Sequence, residues 1–323
     1  MYPLENIYSQ RSYLAWRETL IGPDSPKLVD RRQHKISQEP HIDLRDYRES
    51  WHEIRNGSPW VVHNWGELRT AISYLSLMNK RHVLYFRGQH SHYDKCLPTL
   101  LREKWHLNGQ DYVLTSKNRK AYYSTIHRDL TPIVLRIAQD IGTPRVYILK
   151  HVPAATASIL QHYELWPTHF IDITRSLPTA VSFAAGNRNR EEGYLYVFAM
   201  PDLRGSITSD MDQHLTLSRL EAICPPDAIR PHHQDAYLVS RFPEPASLEE
   251  QDDGWNDWIR KTDLMRRVVA KFKLVFTNGI LDGSPTFQTD FLIPPLELDE
   301  FGARLIETIL PSAESFAQEF SII

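Results

Sequence analysis

The chain has 323 residues, 37 basic and 40 acidic side chains for a formal net charge of −3, and 41% hydrophobic against 24% charged residues. That balance suits an ordinary globular protein with one large core or two modest ones. It argues against extended disorder and against the global basic field that tight nonspecific nucleic-acid binding needs. The two cysteines, Cys96 and Cys224, are too few for a disulfide scaffold and show no Cys-x-x-Cys spacing. No apolar run reaches the roughly 18 residues of a membrane helix, and the start Met1-Tyr-Pro-Leu-Glu5 lacks a basic-then-apolar leader, so a cytoplasmic, reducing location without membrane contact is expected.

In chain order, residues 1–60 are rich in charge and tryptophan, with turn signals at Gly22-Pro-Asp-Ser-Pro26, and are expected to wrap the main body as an N-terminal extension. Leu68, Ala71, Ile72, Leu75 and Met78 then recur at helical steps behind Asn64, a candidate N-cap, which predicts a helix over 66–80. It leads into the apolar, strand-like run Val83-Leu-Tyr-Phe-Arg-Gly-Gln-His90. Apolar residues return at three- and four-residue steps over 118–140 and 146–162, predicting a helical insert at about 100–160 whose helices stop or restart at Pro132 and Pro153. Strands are predicted over 170–174, 194–200, 236–242, 272–276 and 291–293, an acidic surface loop with Glu249, Glu250, Asp252 and Asp253 over 243–258, and closing helices over 298–310 and 313–320. Together these predict one α+β domain over 61–323.

Chemistry concentrates in two segments. A guanidinium at a strand end, Arg87, can hold a phosphate or carboxylate through its planar fork, and Gly88 removes a side chain that would block an approaching backbone or ligand. The alternative is a structural ion pair. Downstream, Ile173-Thr-Arg-Ser-Leu-Pro178 reads as a strand running into a helix start: Thr174 or Ser176 can cap, Pro178 suits the first turn, and free N–H groups there would attract an anion. Capping alone is the plainer reading of the same residues. His90 with His92, and His232 with His233, lack a metal-ligand pattern, and no metal is expected. No nucleophile elbow, phosphate loop or dinucleotide glycine signature occurs. Arg102, Lys104, Lys117, Arg119, Lys120 and Arg128, with Tyr122 and Tyr123 among them, read either as a nucleic-acid track or as a solvated helix face.

Phe86-Arg-Gly-Gln89, followed by His162-Tyr163, Pro167-Thr168, Asp172, Thr174 and the small-residue run from Ala180 to Ala185, resembles the FRG domain family over roughly 80–245. A further match is Arg230-Pro-His-His-Gln234 leading into Ala236-Tyr-Leu-Val239. The chain departs from the pattern at Glu164, where the family has glycine, at the extra Trp166, at His169 in place of arginine, at Ile173 in place of tryptophan, and at Asp235 in place of a small residue.

The order of these motifs is also similar, more distantly, to the mono-ADP-ribosyltransferase fold: an early strand with an arginine, a middle strand ending in hydroxyl residues before a small-residue helix, and a late strand preceded by a catalytic glutamate. That resemblance implies an α+β fold with a split mixed or antiparallel sheet, carrying the helical insertion and the N-terminal extension. It implies NAD as substrate, with Arg87, Gly88, Gln89, Tyr163, Thr174, Ser176 and Phe183 around the dinucleotide and Gln234, Asp172 and His162 at the reacting centre. Gln234 stands where the glutamate is expected and carries no charge. Asp172 or Glu221 would then supply a carboxylate, or His162, His232 or His233 would activate the acceptor. The implied acceptor is a nucleic acid or a protein, and the implied setting a bacterial toxin or defence system with a neutralising partner. The alternative is a noncatalytic module that senses a nucleotide or nucleic acid in the same pocket.

Overall fold

The computed structural model describes residues 51–321 apart from 80–81, 187–189, 203–204, 211–213, 242–261 and 286–288. Most of the expected N-terminal extension and all of the acidic loop lie outside the described residues.

A short helix, α1 (Trp51–Asn56), and an edge strand, β1 (Trp60–Val62), precede α2 (Trp65–Met78). Asn64 caps α2 by accepting from the Glu67 amide at 2.9 Å, and the apolar stripe Leu68, Ala71 and Leu75 is fully buried. The chain then enters β2 (Val83–Gln89). The expected helical insert does contain α3 (Ser116–Thr125), α4 (Thr131–Ile141), α5 (Tyr147–His151) and α6 (Pro153–His162), with a π-turn at Ile126–Leu130. Pro132 and Pro153 fall in the first turns of α4 and α6, where a missing N–H costs nothing. The insert also holds a hairpin that the helical reading missed, β3 (Lys104–Leu107) with β4 (Gln110–Val113). Its signal was present: Asn108-Gly109 turns with φ of 46° and 82° between the alternating buried Trp105, Leu107 and Tyr112.

After the insert come β5 (Ile171–Thr174), α7 (Leu177–Ala185), β6 (Glu192–Met200), β7 (Ile207–Asp210), β8 (Leu215–Arg219), α8 (Leu220–Ile223), α9 (Ile229–His233), β9 (Ala236–Arg241) and β10 (Val268–Val275). Eight strands form one mixed sheet in the order β1-β10-β6-β2-β5-β9-β8-β7, parallel only between β1 and β10. The fold is α+β.

The end of the chain departs from expectation twice. The strand predicted over 291–293 is instead part of a helical turn, α10 (Thr289–Leu292), and its irregular exit. The two predicted closing helices are one, α11 (Glu300–Ser321), running through Pro311. An interior proline costs a helix about 3 kcal/mol. Here Phe301, Leu305, Ile309, Ala313 and Ala317 continue one buried stripe on both sides of it, so packing holds the helix together.

Two cores result. One lies between the sheet and α2 and α7; the other joins the insert, the segment 163–170 and α11 to the far side of β9 through Leu238 and Ala236. Among the described residues no helix is long and apolar enough to cross a membrane.

Candidate ligand pocket at the split of the sheet

The sheet is almost two sheets. β2 pairs with β6 along seven residues, from Val83↔Met200 to Gln89↔Tyr194, and β5 pairs with β9 along four, but β2 and β5 meet at the single pair Phe86↔Thr174. Continuing that antiparallel register would set Arg87 against Ile173 and Gly88 against Asp172. Those pairs do not form. A cavity of about 250 Å³ opens there instead, lined by Phe86, Arg87 and Gly88 on one strand and Asp172, Ile173 and Thr174 on the other.

Arg87 spans the gap. Its Nη1 donates to the Asp172 carbonyl oxygen at 2.5 Å, a backbone acceptor that the missing partner strand would otherwise have satisfied. Its Nε is buried with no partner. The Asp172 side chain belongs to a chain of contacts: Thr168 donates its hydroxyl to Gln161 Oε1, Gln161 Nε2 donates to Asp172 Oδ2 at 2.5 Å, and Asp172 Oδ1 faces His162 Nε2 at 3.3 Å. Burial pulls the Asp172 carboxyl upward, but His162, Arg87 and the Gln161 amide outweigh it and leave it below the ordinary aspartate value.

The third side of the cavity comes from α6 and from the late part of the chain. Gln161, His162 and Glu164 close it from the end of α6, Phe183 from α7, Arg230 and Gln234 from α9, and Ile293 from the segment after α10. Arg230 lies 4.7 Å over the Tyr163 ring and donates from Nη1 to the His162 carbonyl at 3.2 Å, while its Nε, like that of Arg87, is buried without a partner. Two guanidinium groups therefore border one cavity, which favours an anionic ligand. Gln234 ends α9 and donates one Nε2 hydrogen to the Leu292 carbonyl at 2.8 Å, which fixes its amide at the edge of the cavity.

Seven of the residues expected around a ligand line this cavity: Arg87, Gly88, His162, Asp172, Thr174, Phe183 and Gln234. Three do not. Tyr163 is buried in the second core, its hydroxyl donating to Asp299 Oδ2 at 2.7 Å; it supports Arg230 from behind and does not face a ligand. Burial and then the Asp299 carboxylate push its phenol well above the ordinary tyrosine value. Ser176 caps α7, accepting from the Thr179 amide at 3.2 Å, and its own amide donates to Thr174 Oγ1 at 3.0 Å. With Pro178 lacking an N–H, these bonds use much of the helix start, and capping is the role the segment performs. Gln89 sits at the outer end of β2, paired with Tyr194.

Gly88 serves the backbone. A Cβ there would lie 1.7 Å from the Ala180 carbonyl oxygen, and one at Gly193 on β6 would lie 2.3 Å from that of Ala184, so α7 rests directly on two strands through glycine. Glu221 pairs with Arg219 on an exposed turn and is not among the residues lining the cavity. His169 is buried against Phe170 and Tyr123, at ring distances of 4.0 and 5.1 Å. His232 and His233 bond the carbonyls of Pro225 and Phe291. Four of the basic set are engaged locally: Arg102 and Arg119 on carbonyls of Leu97, Leu101 and Arg102, Lys104 on Asp111, and Arg128 on Asp129; Tyr122 is buried. Among the described residues no group of three or more His, Cys, Asp or Glu side chains is arranged to hold a metal ion.

Residues 82–193 match the FRG domain family. The chain carries an FRG domain. No curated protein and no solved structure matches the chain. The FRG segment contains both strands of the split together with His162, Glu164 and Phe183, while Arg230, Gln234 and Ile293 come from beyond its end. Within it the signature residues have separate physical tasks: Phe86 makes the last pair before the strands part, Arg87 bridges the gap, and Gly88 admits α7. The FRG residues Thr168 and Asp172 are the two ends of the Gln161 bridge. Sequence reasoning missed Arg230, Gln161 and Glu164 as pocket residues. For Arg230 the signal was its place in the late motif that also carries Gln234.

Proposed function

We propose that the FRG pocket binds NAD and that the protein is an ADP-ribosyltransferase-like enzyme acting on a nucleic-acid or protein acceptor. The observation that carries this reading is the convergence of Arg87, Arg230, His162, Asp172, Thr174 and Gln234 on one cavity at the parting of two strands. The positive charge of the two arginines that line the cavity suits the pyrophosphate. Phe86, Ile173 and Phe183 supply an apolar wall for a planar ring. At about 250 Å³ the cavity is below the roughly 300–1,000 Å³ of most small-molecule sites, which suits the nicotinamide and its ribose with the adenosine half outside.

Cleaving the nicotinamide–ribose bond builds positive charge on the ribose, so a rigidly held dinucleotide and a nearby carboxylate are the chemical requirements. The partly exposed Asp172, held ionised by His162, Arg87 and Gln161, fits the second. A role as toxin or defence effector with a neutralising partner belongs to the same proposal and would appear as growth arrest on expression, relieved by Arg87→Ala.

One observation favours a second reading, a noncatalytic nucleotide sensor. Gln234 is neutral and one of its amide donors is held by the Leu292 carbonyl, while Asp172 is already bonded within the protein. Nicotinamide release from NAD by wild type and by Arg87→Ala, each with pooled RNA, DNA and protein acceptors, separates the two. Release abolished by the substitution supports the transferase. Calorimetric NAD binding without release supports the sensor, and neither binding nor release rejects NAD.

A further inference from the structure

Glu164 is the second carboxylate of the cavity. It follows α6, accepts no cap from its neighbours' side chains, and holds a left-handed backbone with φ of 57°, its amide donating to the Gln161 carbonyl at 2.9 Å and that of Leu165 to the Leu160 carbonyl at 2.9 Å. That is the position after a helix where glycine is at ease and a side chain with a Cβ is strained. The residue is exposed, yet it lines the pocket that His162 and Arg230 also line. Unlike Asp172, which is tied to Gln161 and His162, its carboxylate has no hydrogen-bond or ion-pair partner among the described residues. An unfavourable backbone state kept for a charged side chain at a pocket is the pattern expected where strain is retained for function.

We infer that Glu164 is a catalytic residue of the reaction proposed above, adding to the fixed charge of Asp172 the mobile carboxylate that Gln234 lacks and taking the acceptor's proton; the inference rests on that reading. In the step, the C1′–N1 bond of NAD breaks and its electron pair neutralises the nicotinamide ring. Glu164 faces the positive charge left on the ribose, and the acceptor's oxygen or nitrogen forms the new bond to C1′. The proton lost by the acceptor passes to the Glu164 carboxylate and then to water.

The test uses the full chain with Glu164→Gln and Glu164→Gly. Nicotinamide release, NAD affinity by calorimetry and thermal unfolding are measured together. Glu164→Gln is expected to lower release by about 100-fold or more while changing NAD affinity by less than about threefold. Glu164→Gly is expected to raise the melting temperature by about 2 °C, because the strain is removed, and to lose release to the same degree. A merely structural Glu164 predicts a more stable Glu164→Gly protein that keeps its activity. If wild type releases nicotinamide and Glu164→Gln does so within about threefold of it, the role of Glu164 is overturned and the transferase reading stands. If wild type binds NAD and releases none, the reading fails and takes the role of Glu164 with it.

Discussion

On one side of the pocket, Arg87, Gly88, Asp172 and Thr174 are placed by strand register and by a helix seated on glycine; on the other, Arg230 and Gln234 hang on side-chain contacts to carbonyls and to one aromatic ring. The first side is rigid because moving any residue breaks a ladder and a close-packed layer at once. The second can be adjusted piece by piece. A ligand that fits the split would therefore find its anion bridge and its carboxylate fixed in advance, and the closing side would set how tightly it is held.

The severest way to break the comparison is Gly88→Ala. Its methyl group would fall on the backbone oxygen of Ala180, at a place where neither β2 nor α7 can give way without unpairing from β6 or losing Ala180 and Ala184 from the core. A cost on the order of 3 kcal/mol or more is expected, read as a lowered denaturation midpoint. A stable Gly88→Ala protein would mean that the strand side is as yielding as the other.

Tyr163→Phe probes the opposite side with a smaller effect. Asp299 is fully buried, accepts from the Tyr163 hydroxyl on Oδ2 and from the Gly302 amide on Oδ1 at 2.8 Å, so losing the hydroxyl should cost about 2 kcal/mol. The ring that carries Arg230 remains, so NAD affinity should stay within about twofold. Tyr163→Leu removes the ring as well and should weaken binding further. Equal binding losses in both variants would show that the hydroxyl, and not the ring, positions Arg230.

How legible each side was follows from the same contrast. Arg87, Gly88, Asp172 and Thr174 sit on local patterns, an apolar strand with a polar end, and their meeting follows once the strands are neighbours. That Tyr163 turns inward was invisible, because it depends on Asp299 and on Gly302, where any Cβ would lie 2.3 Å from the Tyr163 ring. Glu164 entered the sequence reading only as a lost glycine; its φ of 57° is one that glycine adopts without strain. The strand expected over 291–293 failed because a short apolar run has no period to tell strand from turn. The hairpin of β3 and β4 was legible in Asn108-Gly109 and was hidden by the stronger helical signal after it.

Arg87→Ala should cost less than either substitution, about 1–2 kcal/mol, since the Asp172 carbonyl loses its donor at a half-buried site that water can partly enter. Its effect on NAD binding should be much larger than its effect on folding. Arg87→Lys retains a charge but not the fork and should recover the stability more than the binding. Recovery of both would reduce Arg87 to a point charge.

The smallest effect sharpens the account of Asp172. Its carboxyl is held below the ordinary value in the folded protein, so the unfolded chain takes up a proton first as pH falls. The stability due to the charged form is then complete above the unfolded aspartate value of about 3.9 and is lost as pH falls through the lower folded value. The side chain is 32% exposed, and solvent screening should keep this contribution under about 1 kcal/mol. In denaturation series from about pH 6 down to pH 3, the gap between wild type and Asp172→Asn should be flat at first and then close. A gap that widens in acid would mean that burial outweighs His162, Arg87 and Gln161, that the folded carboxyl takes its proton before the unfolded one does, and that the strand side of the pocket presents a neutral acid to its ligand.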